Sequence, residues 1–264
     1  MKKKHSPIFY LLVSIITVAI LLAIWQYCTD VLKLVPSTTL PSPQKVVKSL
    51  IKKLSSKNPD GATLVEHTLS SLGVALQGYG LALLIGIPLG ILMAWSDPVD
   101  KMVRPLFDLI KPIPGVAWIP LTIVIFGISM KAKVAVVFMG ALVPVILNSY
   151  TGIRQTKEVH IWVARTFGGT RNQMLFKIAI PTALPYILTG ARIALASAWM
   201  SIVAAELMGS TKGLGYMIQQ ARGILRVDLV IVGMLTIGLC GGLLTFILSL
   251  IEKAVVKGRG KHAE

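Results

Sequence analysis

Residues without charge gather into long uninterrupted stretches along this chain: 6–29, 68–96, 112–130, 134–153 and 229–251, each of 19 residues or more. About 20 helical residues cross the hydrocarbon core of a bilayer, so each stretch predicts one crossing. A sixth, 178–205, is interrupted only by Arg192. In lipid every backbone polar group must be satisfied inside its own segment, which makes the crossings helices. The expected architecture is an all-α membrane protein with six transmembrane helices. Residues 1–29 form the first helix with a basic N-terminus, 30–67 an external loop, 68–251 the remaining bundle with a cytoplasmic loop at 154–181, and 252–264 a basic tail.

Small residues recur every fourth position at Gly78, Ala82, Gly86 and Gly90, at Gly190, Ala194 and Ala198, and at Gly238 and Gly242. Such seams let helix backbones approach closely. Prolines 88, 112, 114, 120 and 144 fall within the stretches and bend helices. The third stretch, opening on Lys111, Pro112, Ile113, Pro114 and Gly115, is the one expected to be broken.

Composition narrows the class. The chain is 54% hydrophobic and 14% charged with a mean hydropathy of +0.74, against roughly 25% charged in soluble domains, which excludes an ordinary soluble enzyme. Its 27 Lys and Arg against 11 Asp and Glu sit on a chain too apolar for a nucleic-acid binder, so the excess belongs to loops. Lys2, Lys3 and Lys4 at one end, and Lys253, Lys257, Arg259 and Lys261 at the other, place both termini in the cytoplasm. The N-terminal run imitates a signal peptide, but bulky Trp25, Gln26 and Tyr27 precede Cys28 where a cleavage site needs small residues, so an uncleaved helix is expected.

Lys33, Lys45, Lys48, Lys52, Lys53 and Lys57 fall in the external loop and oppose that orientation. Ser42 and Pro43 suit the start of a helix with Val46, Val47, Leu50, Ile51 and Leu54 on one face, which would lie in the membrane interface with its lysines outward.

Little else suggests chemistry. Cys28 and Cys240 are far apart, and His5, His67, His160 and His262 are scattered, so no metal site is expected. No HExxH, paired Asp, GxSxG or GxxxxGK[ST] occurs, so no catalytic residue or cofactor is assigned to this chain. Gln77, Asn148, Ser149, Ser197, Trp199, Ser201 and Glu206 are too polar to face lipid. They are the candidate lining of a translocation path, and each also suits interhelical hydrogen bonding. Gly213, Leu214 and Gly215 read as a turn in an outer loop.

The loop at 154–181 stands out. A polar helix over 158–167, a bend at Gly168 and Gly169, and a second helix over 170–180 ended by Pro181 make a knob suited to docking. Gly168 followed after nine residues by Ile178, Ala179, Ile180 and Pro181 resembles the cytoplasmic signature of permease subunits in bacterial ATP-binding-cassette importers: Glu-Ala-Ala, three residues, Gly, nine residues, Ile-x-Leu-Pro. Trp162, Val163 and Ala164 stand where Glu-Ala-Ala would be, with Glu158 one turn upstream. LPSPQKV at 40–46, GIPLGILMAWS at 86–96, the run from Ala164 to Leu195, and AAELMGSTKGLGYMI at 204–218 are similar to the nitrate, sulfonate and taurine branch.

The resemblance implies a type I importer permease: a homodimer in the bacterial inner membrane, fed by an external solute-binding protein. Two cytoplasmic ATPase subunits, which bind the ATP and Mg, would dock on Ala164, Arg165, Phe167, Gly168 and Thr170, with Ile178 and Pro181 completing the signature. The implied cargo is nitrate, a sulfonate or taurine, or alternatively a pyrimidine vitamin precursor or other small organic solute, and no nucleic acid is involved. An ion-coupled secondary transporter, the other class considered, would carry intramembrane acids and an inverted repeat, and Glu206 is the one candidate acid.

Overall fold

The computed structural model describes residues 7–260, and every regular element among them is helical. In chain order these are α1 (Pro7–Gln26), α2 (Pro43–Ser55), α3 (Leu64–Trp95), α4 (Asp97–Ile110), α5 (Ile119–Phe126), α6 (Met130–Arg154), α7 (Glu158–Thr166), α8 (Arg171–Met174), α9 (Ile180–Met208), α10 (Leu214–Gly223) and α11 (Val227–Gly260). Lys2, Lys3, Lys4, His5, Lys261 and His262 lie outside the described residues. The chain divides into two units, Met1–His67 with Met217–Thr236, and Thr68–Tyr216 with Ile237–Glu264.

In the first unit α1 runs on through a π turn at Tyr27–Val31, giving an apolar span over Leu12–Val31. α2 starts where Ser42 and Pro43 place it, and Val46 faces the interior. One lysine departs from the expected outward face. Lys53 is buried, its Nζ donating to the carbonyls of Ala62 (2.8 Å) and Asn58 (3.1 Å) and to Asp60. His67 Nε2 lies 3.2 Å from the same Asp60 oxygen. A buried ammonium persists only where a counter-charge and acceptors replace water, and the 58–62 turn supplies both.

In the second unit the small-residue seams explain why α3, α6 and α9 approach closely. A Cβ on Gly78, Gly86 or Gly90 would stand 2.6–2.8 Å from Val137, Val145 or the Ile146 carbonyl of α6. One on Gly190 would stand 2.5 Å from Asn148. The third seam behaves differently: Gly238 and Gly242 meet nothing within 4 Å, while Gly241 receives the ring of Trp199. Among the described residues five helices are long and apolar enough to cross a membrane, and a bent pair makes up to six.

The third expected span is not one straight helix. α4 and the segment Gly115–Phe126 form a pair bent by 87°. Pro112 and Pro114 offer no N–H, and the chain re-enters helix only through a 3₁₀ turn at Gly115–Trp118. That turn plus α5 reaches about 20 Å, short of the roughly 30 Å of hydrocarbon. Gly115 stands against Gly140, part-way along α6. The break therefore sits at membrane depth, and α5 covers the part of α6 before Gly140.

Pro181 also acts differently from expectation. The helix does not stop there: Arg171–Met208 forms one continuous candidate span. A π turn at Leu175–Ala179 precedes the proline, and such local widening is how a helix re-satisfies groups that proline frees.

Candidate functional site

The knob is built by two opposed end signals. At the end of α7, Gly169 N donates to Ala164 O (2.9 Å) and Gly168 N to Arg165 O (3.0 Å), the paired closure that requires a left-handed residue. Gly168 supplies it with φ 77, and a Cβ on Gly169 would stand 2.8 Å from the Ala164 carbonyl. At the start of α8, Thr170 Oγ1 accepts from Gln173 N while Gln173 Oε1 accepts from Thr170 N (2.9 Å), a reciprocal cap.

Arg171 Nη2 donates to the carbonyl of Trp95, the last residue of α3, and ties the knob to the bundle. Nearby, Asp100 of α4 accepts from Arg104, which also bonds Tyr150 of α6, and this pairing with Asp100 raises the Arg104 guanidinium above its ordinary value. The result is a rigid projection with apolar groups in the open: Phe167 is 86% exposed, and Trp162 and Val163 are exposed beside it. Ala164, Phe167, Gly169, Gln173, Lys177 and Ile178 line a hollow of about 230 Å³. Arg165 is exposed, Thr170 is occupied in the cap, and Pro181 lies in the first turn of α9.

A second cavity, of about 320 Å³, opens at the break in the third span, and its lining includes Lys111, Gly115, Gly140, Pro144, Ser197 and Ser201. Ser201 is buried, and its hydroxyl points at the meeting of two backbones: a Cβ on Gly140 would stand 2.3 Å from Ser201 Oγ, and one on Gly115 2.8 Å. Non-helical backbone at membrane depth is tolerated where protein buries it or where it lines a wet cavity, and this break has both neighbours.

The structure gathers two of the seven candidate path residues, Ser197 and Ser201, at that cavity and sends the others elsewhere. Gln77 lies in a separate apolar groove with Leu81, Ile85, Val134 and Phe138. Asn148 donates to Pro144 O (2.8 Å) within α6, and Ser149 is buried under Gly90. Trp199 Nε1 donates to Ile237 O (3.0 Å), tying α9 to α11, and Arg192 is paired with Glu252 of α11.

Glu206 closes a clasp at the opposite end of α9 from the knob. Its carboxylate is buried and accepts from Ser71 Oγ of α3 (2.8 Å) and from Gly215 N (3.0 Å), while Ser71 Oγ accepts from Leu214 N (2.9 Å). The Gly-Leu-Gly turn is thereby explained. Gly213, at φ 137, has its Cβ direction filled by the Glu206 carboxylate, and the free N–H groups opening α10 meet a negative charge.

The family described as "Binding-protein-dependent transport system inner membrane component" matches residues 86–261. The taurine transport system permease protein TauC of Escherichia coli is 34% identical over 248 residues, covering 94% of this chain and 90% of its own length. The bicarbonate transport system permease protein CmpB of Synechocystis sp. is 31% identical over 241 residues, covering 90% and 86%. Among solved structures, an inward-facing form of the MetNI methionine ABC transporter matches with a TM-score of 0.56 at 22% identity, over 70% of this chain and 95% of that one, a likeness of fold.

Proposed function

Because the chain belongs to the family of inner-membrane components of binding-protein-dependent transport systems, we propose that two copies of it form the path by which a small sulfonate such as taurine enters the cell. Two cytoplasmic ATPase subunits, which bind the ATP and Mg, dock on the knob around Ala164, Arg165, Phe167 and Gly168. An external binding protein presents the solute. The observation that carries this reading is the knob itself: an apolar tip held rigid by two end signals on a chain whose other apolar faces suit lipid.

Both termini are cytoplasmic in this reading. Support comes from the knob end of the second unit, where Arg104, Arg154 and Arg171 gather around the junctions of α3, α4 and α6. Solute passes the broken span, where Ser197, Ser201 and the uncovered backbone of 111–115 offer polar groups. ATP-driven closure shifts the population between inward-open and outward-open states through the knob. An ion-coupled secondary transporter is not favoured, since the buried acid Glu206 is consumed by the clasp.

The test is reconstitution of the complex in vesicles, with and without its binding protein, comparing taurine, an alkanesulfonate, nitrate, bicarbonate and a pyrimidine precursor. Sulfonates should stimulate ATP hydrolysis and accumulate only when the binding protein presents them. Full stimulation by free solute would move selectivity into the cavity at Ser197 and Ser201. Stimulation by bicarbonate or nitrate alone would replace the cargo.

A further inference from the structure

α2 presents three distinct faces, and only one is met by protein. Successive residues of a helix turn by about 100°, so Ser49, Lys53, Val46 and Leu50 share one sector. That sector is the one turned inward: Val46 and Lys53 are buried, Ser49 and Leu50 half-buried. Next around the helix come Leu54, Val47 and Ile51, an apolar row left 48%, 52% and 62% exposed. About 125° further on stand Lys48, Lys52 and Lys45, all exposed, and among the described residues no acidic group pairs with them.

The helix is fixed across the ends of two spans. At its start, Gln44 N donates to Oε1 of Gln26, the last residue of α1 (3.3 Å). Five residues on, Ser49 Oγ donates to Asp228 in the first turn of α11 (2.6 Å), which Arg226 also holds. Asp228 opens the apolar span Val227–Ala254 and Gln26 lies in the last two turns of Leu12–Val31, so both sit near a membrane boundary. A helix tied at two such points runs along that boundary. Its apolar row then faces hydrocarbon, and its lysine row lies at the depth of the lipid phosphates.

We propose that α2 is an in-plane anchor whose row of Lys45, Lys48 and Lys52 binds the phosphate groups of anionic lipid, with Val47, Ile51 and Leu54 seated among the acyl chains. Charge complementarity selects this occupant. Three unpaired cations beside an apolar row match a lipid that presents a negative phosphate directly above hydrocarbon. The proposal also accounts for a polybasic segment outside the cell that a count of loop charges alone opposes. It rests on the membrane spans and is independent of the cargo.

The experiment uses the full chain with its ATPase partner in nanodiscs of phosphatidylcholine alone or mixed with phosphatidylglycerol. Cys28 and Cys240 are replaced by serine, and spin labels are placed at Ile51→Cys, Lys48→Cys and, as a buried control, Val46→Cys. The label at 51 should be accessible to oxygen, and that at 48 to a water-soluble nickel complex. Native mass spectrometry should show phosphatidylglycerol retained over phosphatidylcholine, and several-fold less of it in a Lys45→Gln/Lys48→Gln/Lys52→Gln variant that still carries normal ATPase activity. Equal water accessibility at 48 and 51 in both lipid mixtures overturns the in-plane anchor. Unchanged phosphatidylglycerol retention in the triple variant overturns the lysine assignment. Protection of the label at 51 only on adding the binding protein would make this face a protein-docking surface instead.

Discussion

Gly168 has open space around its α-carbon, so what it contributes is conformation and not room. A left-handed backbone costs an ordinary residue about 1–2 kcal/mol, and asparagine tolerates it better than most. Gly168→Ala should therefore loosen the knob and lower uptake in membrane vesicles, Gly168→Asn should lower it less, and both should insert in equal amounts. Equal loss in the two variants would mean that any side chain at the tip obstructs docking, a steric role in place of a backbone one. Lys53 carries a different prediction. Lys53→Met leaves the Asp60 carboxylate buried beside His67 without its cation, a change that typically costs about 3–5 kcal/mol. The melting temperature of the purified chain in detergent should fall, and Lys53→Met/Asp60→Asn should recover part of the loss.

At the level of elements, the broken third span and the α6 to α9 contact form one packing problem. Gly140→Ala should impair transport, because its Cβ would fall 2.3 Å from Ser201 Oγ and push α9 off α6. Adding Ser201→Gly removes that oxygen and should restore much of the uptake; failure of the rescue, with both variants folded, would assign Ser201 a polar role that space alone does not replace. Much of this architecture was legible beforehand. Charge-free stretches located the long helices, two of the three small-residue seams marked close approaches, and the glycine pair announced the bend at the knob. α4 went unread although Val103, Phe107 and Ile110, all half-buried, repeat at helical spacing, because its interleaved charges looked like a loop. The break in the third stretch was legible in Pro112 and Pro114; what the charge-free count did not show is that α4 forms its other arm. The Glu206 clasp joins residues 135 positions apart in sequence, and the Lys53 site depends on a turn that brings Asp60 back over the helix; neither leaves a local signal.

For the whole molecule, topology labelling is the first check. A cysteine at Lys57 should react with an impermeant reagent from outside intact cells and one at Asn172 only after the inner face is opened, whereas the reverse pattern would invert the protein in the membrane. From Arg171 to Met208 the chain is a single helix of 38 residues, about 57 Å long, carrying the knob at one end and Ser197, Ser201 and Glu206 toward the other. No loose joint interrupts it. The π turn at Leu175–Ala179 holds one residue more than an α turn would and absorbs it within a single turn, so the angular phase between the docking end and the cavity end is set by the number of α-helical residues between them. Deleting the exposed Phe176 would let the turn close as α-helix with the two ends nearly in phase, whereas deleting the exposed Thr182 from the α-helical stretch beyond it would swing the Phe167 tip by about 100° about the axis and draw it in by about 1.5 Å. Every residue of the knob and of the cavity would survive that deletion, yet ATP hydrolysis and uptake should fall out of step, because the two ends of the rod would no longer face their partners at the same moment of the cycle.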